Sequence, residues 1–238
     1  MNSIDVSEDK FLGGKLVINQ LKSGYRAGND PVLLAASLVL RPEQTLLDLG
    51  CGVGTAFLCV LARENSIKVT GIELQKQLSD LAIKNSLKNN FVADIINCNL
   101  HKLYHNIGQK KFDHVILNPP FFYSNSGTLS KNKQKLVSKF VKEDELRSWL
   151  SIAMGRLKPK GEISLISRAS TLGLVLGVLE QKVGSIKILP ISSFENEPSS
   201  RLIVSGKLGA KGDISLSFPF IMHQKVVDKT GKNFFTSE

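Results

Sequence analysis

The sequence predicts an α/β protein with a doubly wound, mostly parallel sheet of seven strands. Short apolar runs alternate with longer helical stretches along the 238 residues, a pattern typical of strand–helix–strand units. A glycine-rich turn ends one apolar run, at residues 46–54, and the tetrapeptide Asn118-Pro119-Pro120-Phe121 follows another, at residues 115–117. Because such sheets bind ligands at the carboxyl ends of their strands, we expect both segments at one functional edge.

The predicted elements alternate in order along the chain. Asn29-Asp30-Pro31 indicates a helix start, with Asp30 as the cap and Pro31 in the first turn. The turn before the fifth strand is predicted at residues 158–161. Residues 1–40 are interpreted as an N-terminal extension packed on a catalytic domain of residues 41–238. Strands are predicted at 45–48, 68–72, within 91–98, within 112–117, 162–166, 185–189 and 201–207, and further helices at 54–63, 75–89, 141–157 and 171–183.

Composition limits the class of protein. The hydrophobic fraction of 42% and charged fraction of 22% are ordinary for a globular domain. No apolar run reaches the roughly 20 residues of a membrane span, and residues 1–6 lack the features of a secretory signal. Cys51, Cys59 and Cys98 form no CxxC pair, which argues against a disulfide framework or zinc ribbon. A reducing, cytoplasmic setting is therefore expected.

The net charge of +10 is concentrated in one part of the chain. Residues 1–100 balance to zero, whereas residues 101–160 carry twelve basic and four acidic side chains, a net charge of +8. A lysine cluster alone is typical of a solvated loop. Its position directly after the Asn118-Pro119-Pro120-Phe121 motif, a candidate active site, instead indicates a surface for a phosphate backbone, and hence an RNA partner. The lysines predicted to bind this substrate are Lys131, Lys133, Lys135 and Lys139.

The glycine-rich turn predicts a nucleotide-type cofactor. Gly50, Gly52 and Gly54 allow a ligand to approach the backbone, and the following helix presents free amide groups. A nicotinamide dinucleotide would require Gly-x-Gly-x-x-Gly, but Thr55 occupies the last position. Glu73 ends the second predicted strand, where its carboxylate can accept both ribose hydroxyls.

The two acids near this turn each have a structural alternative. Asp48 ends the first predicted strand and is expected to be buried beside the turn, although it could instead cap the turn. Glu73 could be a first-turn helix acid, which is compatible with ribose binding.

Several segments resemble one family of enzymes. Residues 45–122 resemble the class I S-adenosylmethionine-dependent methyltransferases, and Asn118-Pro119-Pro120-Phe121 resembles the motif of their amino-group-modifying branch. Residues 11–16, 24–35, 201–204 and 219–223 are similar to those of the bacterial tRNA1(Val) adenine-37 methyltransferase family. Two positions depart from it: Leu21 follows Gln20 where the family has proline, and Asn99 stands where an acid is expected.

The resemblance implies S-adenosylmethionine as cofactor and an adenine of RNA, above all tRNA, as substrate. Asn99 can still accept a hydrogen bond from the adenine amine of the cofactor, although it carries no charge. The oligomeric state is left open. The residues that the resemblance implies as cofactor ligands are Tyr25, Arg26, Asp30, Asp48, Gly50, Gly52, Gly54, Glu73, Asn99 and Asn118.

The tetrapeptide predicts how the amine that accepts the methyl group is activated. The Asn118 side-chain carbonyl and the Pro119 backbone carbonyl can accept hydrogen bonds from both amine hydrogens, which frees the nitrogen lone pair in the transition state. Pro120 helps to fix the backbone, and Phe121 and Phe122 can stack on the target base. In isolation the motif is more typical of a proline turn with a core phenylalanine, and the glycine-rich turn upstream favours the functional interpretation. The four residues of the motif are predicted to be catalytic.

Other chemistries fit the sequence less well. Cys98, His101 and His105 have a spacing that suggests metal binding, but no further cluster completes four ligands, so loop histidines and no metal are predicted. A protein glutamine methyltransferase would use the same motif, but that family has tyrosine at the position of Phe121 and an added helical domain. A non-enzymatic RNA-binding or cofactor-sensing protein would not need Asn118.

Overall fold

The computed structural model describes residues 5–23, 26–119, 132–227 and 233–236, with the backbone alone described for 132–142, 224–227 and 233–236. The strands are β1 Val6–Phe11, β2 Leu16–Leu21, β3 Thr45–Leu49, β4 Lys68–Glu73, β5 Ala93–Asn97, β6 Phe112–Leu117, β7 Leu157–Arg168, β8 Val183–Ser192, β9 Arg201–Leu208, β10 Ser215–Leu216, β11 Phe220–Ile221, β12 Gln224–Val227 and β13 Asn233–Thr236. The helices are α1 Asp30–Ser37, α2 Thr55–Arg63, α3 Lys76–Lys88, α4 Leu103–Ile107, α5 Asn132–Gly155 and α6 Leu172–Leu179.

One mixed sheet forms the centre of the fold. Its strand order is β10-β8-β9-β7-β6-β3-β4-β5, and β11 also pairs with β8. Strands β7, β6, β3, β4 and β5 are parallel to one another. Strand β9 is antiparallel to both β7 and β8. Strands β3 to β9 are the seven predicted strands, and β10 and β11 add two short segments at one edge. The predicted α/β class with a mostly parallel, doubly wound sheet is confirmed.

Helices cover both faces of this sheet. Successive strand side chains point to opposite faces, so Leu47 of β3 joins the apolar layer that contains Leu150 of α5. Leu46, one residue earlier, joins the opposite layer with Phe57 of α2 and Leu34 of α1. Burial on both faces explains why the central strands are continuous apolar runs.

The order of the strands reverses beside β3. Strands β4 and β5 lie on one side of it and β6 and β7 on the other. Leu49, the last residue of β3, is in register with Ile72 of β4 and with Leu117 of β6. The carboxyl ends of these three neighbouring strands therefore lie side by side. Ligands bind at this position in open α/β sheets.

An N-terminal hairpin, not predicted from the sequence, packs on α3. Strands β1 and β2 pair antiparallel. The Asn85 side chain accepts from the Asn19 amide at 2.8 Å and donates to the Asn19 carbonyl at 3.0 Å, and Asn89 makes the equivalent pair with Val17. The boundary drawn at residue 40 stays a prediction.

The predicted element boundaries differ from the structure most clearly at four places. The helix predicted at 171–183 ends at Leu179, and β8 begins at Val183. Asp30 is the first residue of α1 and not its cap, because Asn29 occupies the cap position and makes no side-chain capping bond. Helix α5 begins at Asn132 and not at residue 141. Residues 158–161 lie inside β7 as an irregularity, with a register shift against β6 and a positive φ of 62° at Lys160. In the described part of the chain, no helix has the length and apolarity of a membrane span.

Candidate active site

The glycine-rich loop begins where β3 ends. Gly50 has a φ of 73°, and its amide and that of Cys51 both donate to the Ile72 carbonyl, at 2.8 and 2.9 Å. Gly52 has a φ of 57°, and among the described residues no atom beyond its two chain neighbours lies within 4 Å of where a Cβ would stand there. Left-handed φ values favour glycine, and the open space beside Gly52 leaves room for a ligand to approach the backbone. Gly54 is the cap residue of α2.

Glu73 is fixed against this loop at the end of β4. Its side chain is buried, and the carboxylate accepts from the Gly52 amide at 3.0 Å and from the Gln75 amide at 2.7 Å. Gln75 is the cap residue of α3, so the same carboxylate satisfies an amide at the start of that helix. A carboxylate has about four acceptor sites, so capacity remains for the two hydroxyls of a ribose.

Asp48 is buried behind the loop, with 2% of its surface exposed. Burial raises the pKa of its carboxyl to about 7, although a hydrogen bond from the Phe57 amide opposes the rise and the negative charge of Glu73 adds to it. Phe57 lies in the first turn of α2, so the Asp48 carboxylate accepts from an amide at the start of the helix that follows the turn. Among the described residues, Oδ2 of Asp48 has no hydrogen-bond partner.

The raised pKa of Asp48 predicts a specific pH dependence of stability. The unfolded chain releases this proton near pH 4 and the folded chain near pH 7, so the free energy of unfolding falls as the pH rises through that window. We expect Asp48→Asn to abolish this contribution, leaving the variant more stable than the wild type at pH 8 and close to it at pH 4. Urea unfolding at several pH values measures the difference.

Asp113 provides a control, because its pKa is shifted in the opposite direction from that of Asp48. Burial opposes the shift, but hydrogen bonds from Lys158 and Thr45 lower its pKa to about 2. Its contribution is present above pH 4 and is lost as the pH falls towards 2. Asp113→Asn should therefore destabilise the protein at pH 8. If Asp48→Asn did the same, the folded state would stabilise the ionised form of Asp48, and its pKa would be lowered and not raised.

Asn118 and Pro119 follow the last residue of β6 and are both half-buried. Neighbouring strands lie about 4.8 Å apart, and Leu49 of β3 is in register with Leu117 of β6. The sheet therefore places Asn118 beside Gly50, as expected for motifs at one functional edge.

Part of the predicted substrate site lies outside the described residues. These are Pro120, Phe121, Phe122 and Lys131, together with Tyr25 among the predicted cofactor ligands. Lys133, Lys135 and Lys139 belong to α5, but the structure describes only their backbone.

Three further predicted cofactor ligands have protein partners. Arg26 pairs with the carboxylate of Asp9 at 2.7 and 2.8 Å. Asp30 pairs with Arg201 at 3.1 Å. The Asn99 side-chain oxygen accepts from the His101 amide at 2.9 Å and so caps the short helical turn after β5. Contacts of these three side chains with a cofactor stay predictions.

Thr55 is a further candidate ligand, which was not predicted from the sequence. It follows Gly54 at the start of α2 and is buried, and its Oγ1 has no partner among the described side chains and backbone groups. The signal in the sequence was a hydroxyl residue directly after the last glycine. Within the described ranges, no three His, Cys, Asp or Glu residues are arranged to hold a metal ion.

The fold, the glycine loop against Glu73 and the neighbouring Asn118 define a class I S-adenosylmethionine-dependent methyltransferase. The chain belongs to the methyltransferase small domain family, whose model matches residues 28–190.

Two similar proteins are both named tRNA1(Val) (adenine(37)-N6)-methyltransferase. That of Haemophilus influenzae is 28% identical over 160 residues, which cover 66% of this chain and 67% of that protein. That of Shewanella sediminis is 31% identical over 172 residues, which cover 67% of each.

Solved structures share the fold. A predicted O-methyltransferase from Agrobacterium tumefaciens has a TM-score of 0.67 at 23% identity, covering 87% of this chain and 91% of that one. The 16S rRNA N2 G1207 methyltransferase of T. thermophilus, in complex with AdoMet and guanosine, has a TM-score of 0.61 at 18% identity, covering 85% and 50%. At these identities the likeness concerns the fold alone.

Proposed function

We propose that this protein transfers a methyl group from S-adenosylmethionine to the exocyclic N6 amine of an adenine in tRNA. The observation that carries the proposal is the placement of Asn118 beside the glycine loop at the point where strand order reverses. The names of the two relatives, which both specify an adenine N6 of tRNA, support the same substrate. A tRNA substrate would place the activity in the cytoplasm.

The residues at the edge of the sheet fit the cofactor. When bound, S-adenosylmethionine supplies an electrophilic methyl group on a positively charged sulfur. The open backbone at Gly52 and the remaining acceptor capacity of Glu73 suit its nucleoside. The buried Oδ2 of Asp48 and Oγ1 of Thr55, which no described residue satisfies, are polar atoms for which a bound ligand can supply partners.

Asn118 and Pro119 would act on the acceptor. The exocyclic amine of adenine shares its lone pair with the ring and is a poor nucleophile. Two carbonyl oxygens that accept its hydrogens favour a tetrahedral nitrogen, and this interaction is strongest in the transition state. Bound S-adenosylmethionine would supply the methyl group and keep the electron pair of the carbon–sulfur bond. The amine held by Asn118 and Pro119 would release one proton to water.

The remaining parts of the proposed site bind the RNA. Phe121 and Phe122 are proposed to stack on the extruded base, a contact worth about 1–3 kcal/mol per base. The lysines from Lys131 to Lys139 are proposed to contact the phosphate backbone.

Nucleoside mass spectrometry tests the proposed function. The purified protein is incubated with S-adenosylmethionine carrying a labelled methyl group and with unmodified tRNA, and the digested nucleosides are analysed. We expect label in N6-methyladenosine, and about 10²–10³-fold slower labelling when Asn118→Ala replaces the wild type. A glutamine-containing peptide is assayed in parallel. Label in the peptide amide and none in the tRNA would refute the adenine substrate in favour of a protein glutamine methyltransferase.

A further inference from the structure

An aromatic ring from α5 lies against the cofactor loop. The six-membered ring of Trp149 approaches Gly50 so closely that a Cβ at Gly50 would stand 2.7 Å from Cη2 and 2.8 Å from Cζ3. Real Cβ atoms essentially never come that close to another heavy atom. Gly50 therefore provides the space that the ring occupies, in addition to the left-handed φ that the turn requires.

Trp149 is held by the core on one side. Its neighbours on α5, Leu150 and Ala153, are buried in the apolar layer that also contains Leu49 and Leu117. Trp149 itself is only partly buried at the border of this layer. A rigid helix thus supports the ring at the edge of the sheet, beside the loop.

The position of the ring relates it to the reacting centre. Gly50 and Asn118 follow Leu49 and Leu117, which are in register on adjacent strands, and Trp149 contacts Gly50 on the face that carries α5. The methyl group has to move between the cofactor bound at the Gly50 loop and the amine held by Asn118. In the proposed function the sulfonium would therefore lie near this ring before transfer, and its positive charge would be absent afterwards.

We propose that Trp149 forms one wall of the methyl-donor pocket and selects the charged sulfonium of S-adenosylmethionine over the neutral thioether of the product. The face of an indole ring attracts cations, and tryptophan does so more strongly than other side chains. This inference rests on the cofactor part of the proposed function and does not depend on the acceptor being RNA. Preference for the charged form would help the product S-adenosylhomocysteine to leave.

Two acids near the loop also favour a cation, so the experiment must separate their effect from that of the ring. Asp48 and Glu73 are retained in every Trp149 variant, and their attraction for the sulfonium is then common to all of them. The contribution of the ring is the change in the ratio of the two dissociation constants, for S-adenosylhomocysteine and S-adenosylmethionine, when only Trp149 is replaced.

Calorimetry with both compounds on the wild type, Trp149→Phe and Trp149→Leu tests the proposal. We expect Trp149→Leu to weaken S-adenosylmethionine about 2- to 30-fold more than S-adenosylhomocysteine, which is the range of cation–π interactions, and Trp149→Phe to retain part of the preference. Glu73→Ala is the comparison variant: it should weaken both compounds through the ribose that they share, and any change in its ratio of dissociation constants measures the charge preference of that acid and not of the ring. Equal weakening of the two compounds in Trp149→Leu would overturn the proposal and leave the ring a packing residue.

Fluorescence of the wild type provides a test that needs no variant. Trp149 is the single tryptophan of the chain, so its emission reports on this ring alone. We expect emission to change on saturation with S-adenosylmethionine, and to a different extent with S-adenosylhomocysteine. Unchanged emission at concentrations where calorimetry shows full binding would exclude the ring from the pocket. A wild type that binds neither compound would instead refute the cofactor assignment.

Discussion

Replacing Asn118 by alanine is expected to lower the rate of methyl transfer by about 10²–10³, the loss typical of removing one transition-state hydrogen-bonding group. The affinity for S-adenosylmethionine should change little. The cofactor loop is held to β4 by the Gly50 amide, which donates to the Ile72 carbonyl, and by the Gly52 amide, which donates to the Glu73 carboxylate. Neither hydrogen bond involves the Asn118 side chain. The loss should therefore appear in the rate of the bound complex.

Single-turnover kinetics with saturating cofactor and tRNA measure this rate directly. Asn118→Asp serves as a graded variant, because a carboxylate still offers acceptor oxygens to the amine, and it should retain more activity than alanine. Asn106→Ala is the matched control: Asn106 is an exposed asparagine of α4 whose side chain donates to the Lys102 carbonyl of its own helical segment. Near-normal turnover in Asn118→Ala would mean that the amide does not act on the acceptor.

The centre of the fold was predictable because its signals are local. Thr45–Leu49 and Phe112–Leu117 are almost entirely buried, so each appears in the sequence as an apolar run. Each run ends in residues with special backbone properties, Gly50 after the first and Pro119 after the second. The rule that ligands bind at the carboxyl ends of strands then placed both motifs at one edge.

Long-range partners explain what the sequence could not predict. The N-terminal hairpin depends on Asn85 and Asn89, whose amide groups satisfy the backbone of β2 from 66 and 72 residues away. Nothing in a local pattern shows that an asparagine on a helix will accept from a distant strand. The contact between Trp149 and Gly50 is of the same kind.

The predicted cofactor ligands also divide into those that a local pattern could place and those whose partners are distant in the sequence. Glu73 could be placed from its position at the end of a strand, and the structure brings it to Gly52. Arg26 and Asp30 were selected by resemblance alone, and the structure pairs them with Asp9 and Arg201. Identifying those partners requires knowing how the N-terminal hairpin and β9 lie in space.

The second large effect, on the affinity for tRNA, is expected when the lysine cluster is replaced by neutral residues. For every phosphate that the variant no longer neutralises, the slope of log affinity against log salt should fall by about 0.7–0.9, since fewer counterions are released when the complex forms. Replacing all four lysines by glutamine should therefore weaken tRNA binding and flatten its salt dependence. Cofactor affinity should be unchanged, since these positions are separate from the glycine loop. The four positions are Lys131, Lys133, Lys135 and Lys139.

A control with the same change in net charge separates local binding from overall charge. Four lysines elsewhere are each paired with an acid within 2.8 Å, so their charges are already partly neutralised. Surface pairs of this kind contribute little to stability, and glutamine at these positions should leave the salt slope close to that of the wild type. The control positions are Lys22, Lys68, Lys76 and Lys88.

The comparison of slopes distinguishes the two interpretations of the cluster. If the slope is flatter in the lysine-cluster variant but not in the control variant, the side chains of the cluster contact the tRNA backbone. Equal slopes in both quadruple variants and the wild type would mean that the cluster is a solvated surface. A binding surface for tRNA would then have to involve other basic residues of the region 101–160, where the chain carries its excess of +8. Lys111, just before β6, and Arg156, just after α5, would be the next positions to neutralise.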